Sequence, residues 1–209
     1  LLGSESAEDE FIRQVLKTAG LTAPHAGFDL LVKAGVWDPD ENLALLKSDQ
    51  PVDFPEACIA ITETLREATV EELLADPKRR HLRALNTLTI DGSFTRDFDD
   101  ALHVERTPEG NLQVGIHITD VSYYVPPKSP LFAEARERST SLYFPEGHIP
   151  MLPKNLSLDV CSLIRGKVRP TISFLVTLGT DGSLIHSTIV PSVIEVKRQL
   201  SYREADSLI

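Results

Sequence analysis

The hydrophobic positions in the first 85 residues recur with helical spacing. The clearest set lies on one face of a helix and comprises Phe11, Ile12, Val15, Leu16 and Ala19. Ser6 is suited to cap this helix at its start, and Gly20 to end it. Further helices are predicted over 28–34 and 41–47, and another begins near Pro55. The pattern therefore predicts a helical N-terminal part.

Individual residues and the charge balance indicate the role of this helical part. Trp37 is predicted to anchor its core, and Thr69 and Glu72 have the spacing of a helix-capping box. Clusters of short helices form the winged-helix modules of some nucleic-acid-binding proteins. Residues 1–90 carry 9 basic and 16 acidic side chains, and this acidic excess favours a packing or linking role instead.

The hydrophobic period becomes strand-like from residue 87 onward. Strands are predicted over 87–90, 101–106 and 112–118. The last of these alternates as a half-buried strand does, with one face formed by Leu112, Val114, Ile116 and Ile118. The turn-forming residues 107–111 join the second and third strands into a hairpin.

The remainder is predicted to mix helix and strand. A helix covers 130–138, and strands 171–178 and 183–190 form a second hairpin around Gly179 to Gly182. Ser201 opens another capping box, so a helix begins there.

The change of period predicts a domain boundary near Leu85. Residues 1–85 are predicted to form a helical subdomain, with a winged-helix-like arrangement as one option, and residues 86–209 to form an α+β domain. The fold class is therefore α+β, with a mixed or antiparallel sheet.

Composition is that of a globular protein, with 42% hydrophobic and 25% charged residues. The longest apolar runs fall far below the roughly 18–20 residues that span a bilayer, so no membrane association is expected. Neither a secretory signal nor an initiator Met is visible, so we expect a piece of a longer chain. Cys58 and Cys161 lie among apolar residues and are predicted to be buried, reduced thiols in a cytoplasmic protein.

The main chemical signal is a cluster of four carboxylates: Asp91, Asp97, Asp99 and Asp100. Such acids repel one another unless a cation lies between them, and their oxygens suit Mg²⁺ or Mn²⁺. An acidic surface loop is the alternative, whereas the spacing of an EF-hand calcium loop is absent.

The net charge of −10 argues against nucleic acid as a partner, but residues 128–203 carry 10 basic and 6 acidic side chains. A basic stretch beside a carboxylate cluster is what metal-assisted phosphate chemistry needs.

The sequence around these acids resembles the catalytic domain, called RNB, of the ribonuclease II and ribonuclease R exoribonucleases. The signature is Thr89-Ile90-Asp91 followed by Asp97-Phe98-Asp99-Asp100-Ala101-Leu102, and further blocks match in family order over 117–125, 138–145, 149–153 and 156–163. The resemblance implies the first part of an enzyme that degrades single-stranded RNA processively from its 3′ end. It implies nucleoside 5′-monophosphates as products and Mg²⁺ as cofactor.

The resemblance also assigns roles to individual residues. It makes the four aspartates the metal-binding and catalytic carboxylates of a two-metal mechanism. Tyr143 matches the aromatic residue that stacks on an RNA base, with a core tyrosine as the alternative. Basic residues that follow it in the chain are candidate phosphate contacts or a solvated face: Arg165, Lys167 and Arg169. His117 and Asp120 lie in a family motif and are expected to be mainly structural.

Departures from the family pattern set limits on these expectations. Ser139 stands where family members commonly have glycine, and cold-shock domains are not recognisable in residues 1–85. The family's further active-site tyrosine, glutamate and arginine are not assigned, so the isolated chain is expected to be inactive. The alternative function is that of a catalytically inactive homologue that only binds RNA; retention of all four aspartates favours the enzyme. Protein partners are not predicted.

Overall fold

The computed structural model describes residues 9–47, 51–145 and 147–208, and the chain divides into two compact units, residues 1–52 and 53–209. The first unit contains helices α1 (Asp9–Thr18), α2 (Ala26–Lys33) and α3 (Leu43–Lys47). The predicted helices are therefore present, and Ser6, the predicted cap, lies outside the described residues.

The first helical unit buries little of its apolar surface. Phe11, Ile12 and Val15, which the pattern places on one face of α1, are exposed. Trp37 is half-buried and packs against Phe28, with the ring centroids 5.7 Å apart, in keeping with the predicted anchor. The periodicity thus indicated the helix, but its apolar face is largely open to solvent.

The second unit is built on a mixed sheet, in which the described residues form seven strands: β1 (Arg80–His81), β2 (Leu88–Asp91), β3 (Asp100–Arg106), β4 (Leu112–Thr119), β7 (Val168–Leu178), β8 (Leu184–Glu195) and β9 (Arg198–Ser201). Their order in the sheet is β1-β8-β7-β4-β3-β2-β9. β1 pairs with β8 and β2 with β9 in parallel, and the other pairs are antiparallel. The predicted α+β fold with a mixed sheet is confirmed.

Helices and a short hairpin complete this unit. The helices are α4 (Glu56–Thr64), α5 (Val70–Leu74), α6 (Pro130–Arg138) and α7 (Tyr202–Asp206), and the hairpin joins β5 (Leu142–Phe144) to β6 (Gly147–Ile149). Both predicted capping boxes form, at the start of α5 and of α7. Ser129 caps α6, whose bounds match the prediction. Leu156–Val160 forms a π-helical turn.

The buried face of the sheet carries an unexpected set of polar groups. Ile116 and Ile118, on the apolar face of β4, are partly exposed, whereas His117 and Thr119 on its other face are buried. The His117 ring is fully hydrogen-bonded, because its two nitrogens bond to His103 at 2.7 Å and to Ser173 at 2.6 Å. The alternation therefore indicated the strand, but the structure buries the opposite face. His117 has the structural setting expected of it.

A glycine makes this polar packing possible. A Cβ atom on Gly115 would lie 2.1 Å from the His103 ring, so no larger residue fits there unless the ring moves.

One apolar cluster of the second unit is built from helices and connecting segments. Cys58 of α4 and Cys161 lie in one cluster with Tyr124, Leu131 and Leu156, and both thiols are buried, as predicted. Since α4 joins this cluster, the predicted boundary near Leu85 falls inside the second compact unit, and it stays a prediction about domain organisation. In the described part of the chain, no helix has the length and hydropathy needed to cross a bilayer.

Candidate active site

The four aspartates lie at one end of the sheet because of how β2 and β3 are connected. Asp91 is the last residue of β2 and Asp100 the first of β3, while Asp97 and Asp99 lie in the loop between them. β2 and β3 run antiparallel, so the end of one strand adjoins the start of the next. The Asp99 carbonyl accepts a hydrogen bond from the Thr119 amide at 2.9 Å, which ties the loop to β4.

These carboxylates affect one another and lack cationic partners. Partial desolvation, followed by the neighbouring charges of Asp97 and Asp100, raises the pKa of Asp99. Desolvation and the charge of Asp100 likewise raise the pKa of Asp91. Within the described ranges, no Lys, Arg or His forms an ion pair with any of the four. The cluster is therefore a region of uncompensated negative charge.

Tyr143 connects the cluster to the hairpin formed by β5 and β6. Its hydroxyl donates a hydrogen bond to Oδ2 of Asp97, and this bond is the main reason why the pKa of Tyr143 is raised to about 12. Its ring stacks on His148 of the facing strand, with centroids 5.7 Å apart and planes 12° apart. Since the residue is 65% exposed, the ring is available to an aromatic ligand.

A cleft of about 940 Å³ lies between the aspartate loop and this hairpin. Its lining includes Asp97 and Tyr143 together with residues that the sequence analysis missed: Phe94, Arg96, His148 and Lys154. Phe94 is 98% exposed, and the signal that the sequence offered was an aromatic residue within an otherwise polar segment between two aspartates. Arg96 and Lys154 add positive charge to a cleft that also holds a carboxylate. Such a cleft can accommodate both the phosphates and the bases of a nucleic acid.

The three predicted phosphate contacts lie elsewhere, around the turn that leads into β7. Arg165 is exposed, and Lys167 pairs with Glu67 at 2.8 Å. Arg169 is fully buried and donates to the carbonyls of Ser162 and Asp159 at 2.9 and 3.1 Å. A contact with RNA requires an exposed guanidinium, so we withdraw Arg169 from the predicted interface. The RNA contacts of Arg165 and Lys167 stay predictions.

The donor set of the cluster fits a divalent cation. Carboxylate oxygens are the preferred ligands of Mg²⁺ and Mn²⁺, and Oδ2 of Asp91 is buried without a hydrogen-bond partner. No three acidic, imidazole or thiol groups of the described residues converge closely enough to hold one ion. The aspartates therefore supply suitable ligands, and phosphate oxygens of a substrate are the natural complement.

Comparison with known proteins gives a consistent result. Residues 79–209 match the family model described as the RNB domain, and residues 1–43 match one described as a double HTH domain. The chain is 39% identical over 180 residues to ribonuclease R of Thermotoga maritima, a match that covers 82% of this chain and 24% of that protein. The chain thus spans about a quarter of that relative's length.

The solved structures that share this fold include a ribonuclease and a protein described as a pseudonuclease. One neighbour is Mycoplasma genitalium RNase R in complex with double-stranded RNA, at 25% identity and a TM-score of 0.74, covering 79% of this chain and 29% of that one. Another is yeast Ssd1, described as a pseudonuclease, at 22% identity and a TM-score of 0.59, covering 89% of this chain and 22% of that one. The fold alone therefore does not establish catalysis.

Proposed function

Since the chain belongs to the RNB family, we propose that its gene product is a 3′-to-5′ exoribonuclease that hydrolyses single-stranded RNA to nucleoside 5′-monophosphates. The observation that carries this proposal is the set of four aspartates, which form no ion pair with any described base and are joined through Asp97 to an exposed tyrosine. We further propose a cytoplasmic location.

The aspartates are proposed to hold Mg²⁺, with Mn²⁺ as a substitute. Asp91, Asp97, Asp99 and Asp100 are the proposed ligands, because they lie together at the adjoining ends of β2 and β3, where desolvation and then their mutual charges raise the pKa values of Asp91 and Asp99. When bound, the metal would supply positive charge to the scissile phosphate and lower the pKa of an attacking water. By fixing the position of the cation, the four carboxylates would also fix the positions of the phosphate and of the attacking water.

The cleft is proposed to hold the 3′ end of the RNA. Tyr143 presents its ring to a base, and stacking of this kind tolerates any sequence. Its bond to Asp97 fixes the distance between the stacked base and the carboxylates. Arg96 and Lys154 are placed to contact phosphates, which adds affinity that decreases with salt.

A catalytically inactive RNA-binding homologue is the second candidate. The likeness to a pseudonuclease fold gives this alternative its support. Retention of all four aspartates argues for the enzyme, because a site no longer used for catalysis is expected to lose at least one of them.

The test uses the full gene product and a 5′-labelled single-stranded RNA with a free 3′ hydroxyl. We expect progressive shortening from the 3′ end and nucleoside 5′-monophosphates in Mg²⁺, with no reaction in EDTA. A matched RNA with a 3′-terminal phosphate controls for the direction of attack. Internal cleavage would contradict the exonuclease, and tight binding without cleavage would establish the inactive homologue.

A further inference from the structure

The loop that carries Asp97 is held by one buried hydroxyl group. Ser162 is fully buried, and its Oγ accepts a hydrogen bond from the Phe98 amide at 3.0 Å. The same Oγ donates to the Arg96 carbonyl at 2.8 Å. A hydroxyl has one proton to donate and lone pairs with which to accept, so this side chain bonds to the backbone on both sides of Asp97.

A second contact holds the loop from the neighbouring residue. The Leu163 amide donates to the Phe98 carbonyl at 2.8 Å, so both polar groups of the Phe98 backbone bond to residues 162 and 163. The Phe98 side chain packs against the cluster that includes Ala101, Leu163 and Ile194. The backbone just after Asp97 is therefore fixed by bonds and by packing.

Buried Arg169 in turn fixes Ser162. Its Nε donates to the Ser162 carbonyl at 2.9 Å, and one of its terminal nitrogens donates to the Asp159 carbonyl at 3.1 Å. Arg169 pairs with Ile194 within the ladder between β7 and β8, so its backbone belongs to the rigid sheet. A continuous series of contacts thus runs from the sheet through Arg169 and Ser162 to the aspartate loop.

We propose that Ser162, supported by Arg169, is a positioning residue that sets the place of the Asp97 carboxylate. The inference rests on the proposed function, since it concerns the geometry of that same site. Ser162 itself touches neither substrate nor the reacting atoms. It acts through the backbone of residues 96 and 98, and through Asp97 on the hydroxyl of Tyr143. Small displacements of a catalytic group reduce turnover strongly while leaving ground-state binding intact.

The test compares Ser162→Ala with Ser192→Ala in the full gene product. Ser192 is an equally buried serine on β8, and its Oγ bonds to Thr171 and Ser173 instead of to the loop. Ser162→Ala is expected to lower kcat by about tenfold to a hundredfold, with KM for RNA changed by less than about twofold. Ser162→Cys, which keeps the size and a weak donor, is expected to recover part of kcat.

Hydrogen exchange supplies a readout that does not depend on catalysis. The Phe98 amide is expected to exchange at least about tenfold faster in Ser162→Ala and at the wild-type rate in Ser192→Ala. Equal effects of the two alanine variants on kcat, or an unchanged Phe98 exchange rate, would overturn the inference. If Ser162→Ala does not fold, Ser162→Cys is compared with Ser192→Cys, and only Ser162→Cys is expected to lower kcat and to speed Phe98 exchange, each by less than the alanine variant would. A wild-type protein that degrades no RNA would refute the proposed function, and the exchange rates would still decide whether Ser162 holds the loop.

Discussion

Two groups of acidic side chains in the second unit differ in their partners. The members of one group pair with bases: Asp120 with Arg79, Glu134 with Arg138, Glu67 with Lys167 and Glu195 with Lys197, all at 2.8–2.9 Å. The four aspartates at the end of β2 and β3 form no ion pair within the described residues. The charge of this second group is therefore available to an external cation, whereas the charge of the paired acids is already compensated.

The ion pair of Arg79 and Asp120 is the most buried of these four and shows how a paired acid stabilises the fold. The side chains of Arg79 and Asp120 are 7% and 6% exposed, and Ser122 donates a further bond to Asp120 at 2.5 Å. Arg79 also donates to the Ser192 carbonyl at 3.2 Å, so the pair joins the start of β1 to the sheet. This acid serves the fold, as expected of it, whereas the loop aspartates are arranged at the expense of mutual repulsion.

The same chemical change is therefore expected to act in opposite directions in the two groups. Asp120→Asn leaves Arg79 buried without its counter-charge and is expected to lower the free energy of unfolding by about 3–5 kcal/mol. Asp99→Asn removes repulsion and is expected to leave the stability of the metal-free protein unchanged or slightly raised. Urea unfolding of both variants measures the difference. Equal losses of stability would contradict the distinction between the groups.

A fall in pH is also expected to change the free energy of unfolding in opposite directions through the buried histidine and through the loop aspartates. Burial, followed by the charge of His103, lowers the pKa of His117 to about 4, whereas an unfolded histidine titrates near about 6.5. The unfolded chain therefore takes up the proton first, and stability is lost as pH falls from about 6.5 to about 4, by about 3 kcal/mol in all. The raised pKa values of Asp91 and Asp99 act in the opposite sense, since protonation relieves their repulsion.

Unfolding in urea at a series of pH values tests this difference. His117→Asn is expected to reduce the slope of stability against pH between about 6.5 and 4, because the variant lacks the titrating ring. The His103 ring, whose pKa is also lowered by burial, accounts for part of the slope that stays. An identical slope in wild type and variant would exclude the buried histidine as its source.

The smallest expected effect concerns the aromatic side chain that joins the cluster to the cleft. Tyr143→Ala is expected to weaken binding of short RNAs by about 1–3 kcal/mol and to change the length of the final product. Tyr143→Phe separates the two functions of the residue, because it keeps the ring and loses the bond to Asp97. We expect Tyr143→Phe to bind short RNAs with the affinity of the wild-type protein, as measured by fluorescence anisotropy. Unchanged affinity and products in the alanine variant would make the residue structural only.

Local patterns predicted those features that local physics determines. The hairpin of β3 and β4 follows from its two-residue alternation and its turn, and α6 from its cap and its length. The aspartates were predicted to lie between two strands, and they lie at the ends of β2 and β3. Each of these features depends on residues that are close to one another in the sequence.

Features that depend on distant residues were not predicted. The burial of Arg169 requires Asp159 and Ser162 to fold over it, which no local pattern reports. The buried face of β4 was misjudged because His117 is satisfied by Ser173, 56 positions away. The cleft depends on a hairpin of two three-residue strands, which is too short for periodicity to indicate.

Turnover by Asp99→Asn tests the central claim, that the unpaired aspartates are the reactive centre, most directly. In the full gene product at saturating RNA and Mg²⁺, the variant is expected to lose about a thousandfold in kcat, or about 4 kcal/mol of transition-state stabilisation. RNA affinity is expected to be equal or tighter, because a repelling charge is gone. Asp181→Asn, in the exposed turn between β7 and β8, is the matched control and is expected to retain wild-type turnover. An Asp99→Asn variant that keeps more than about a tenth of the wild-type kcat, a loss below about 1.4 kcal/mol, would contradict the account.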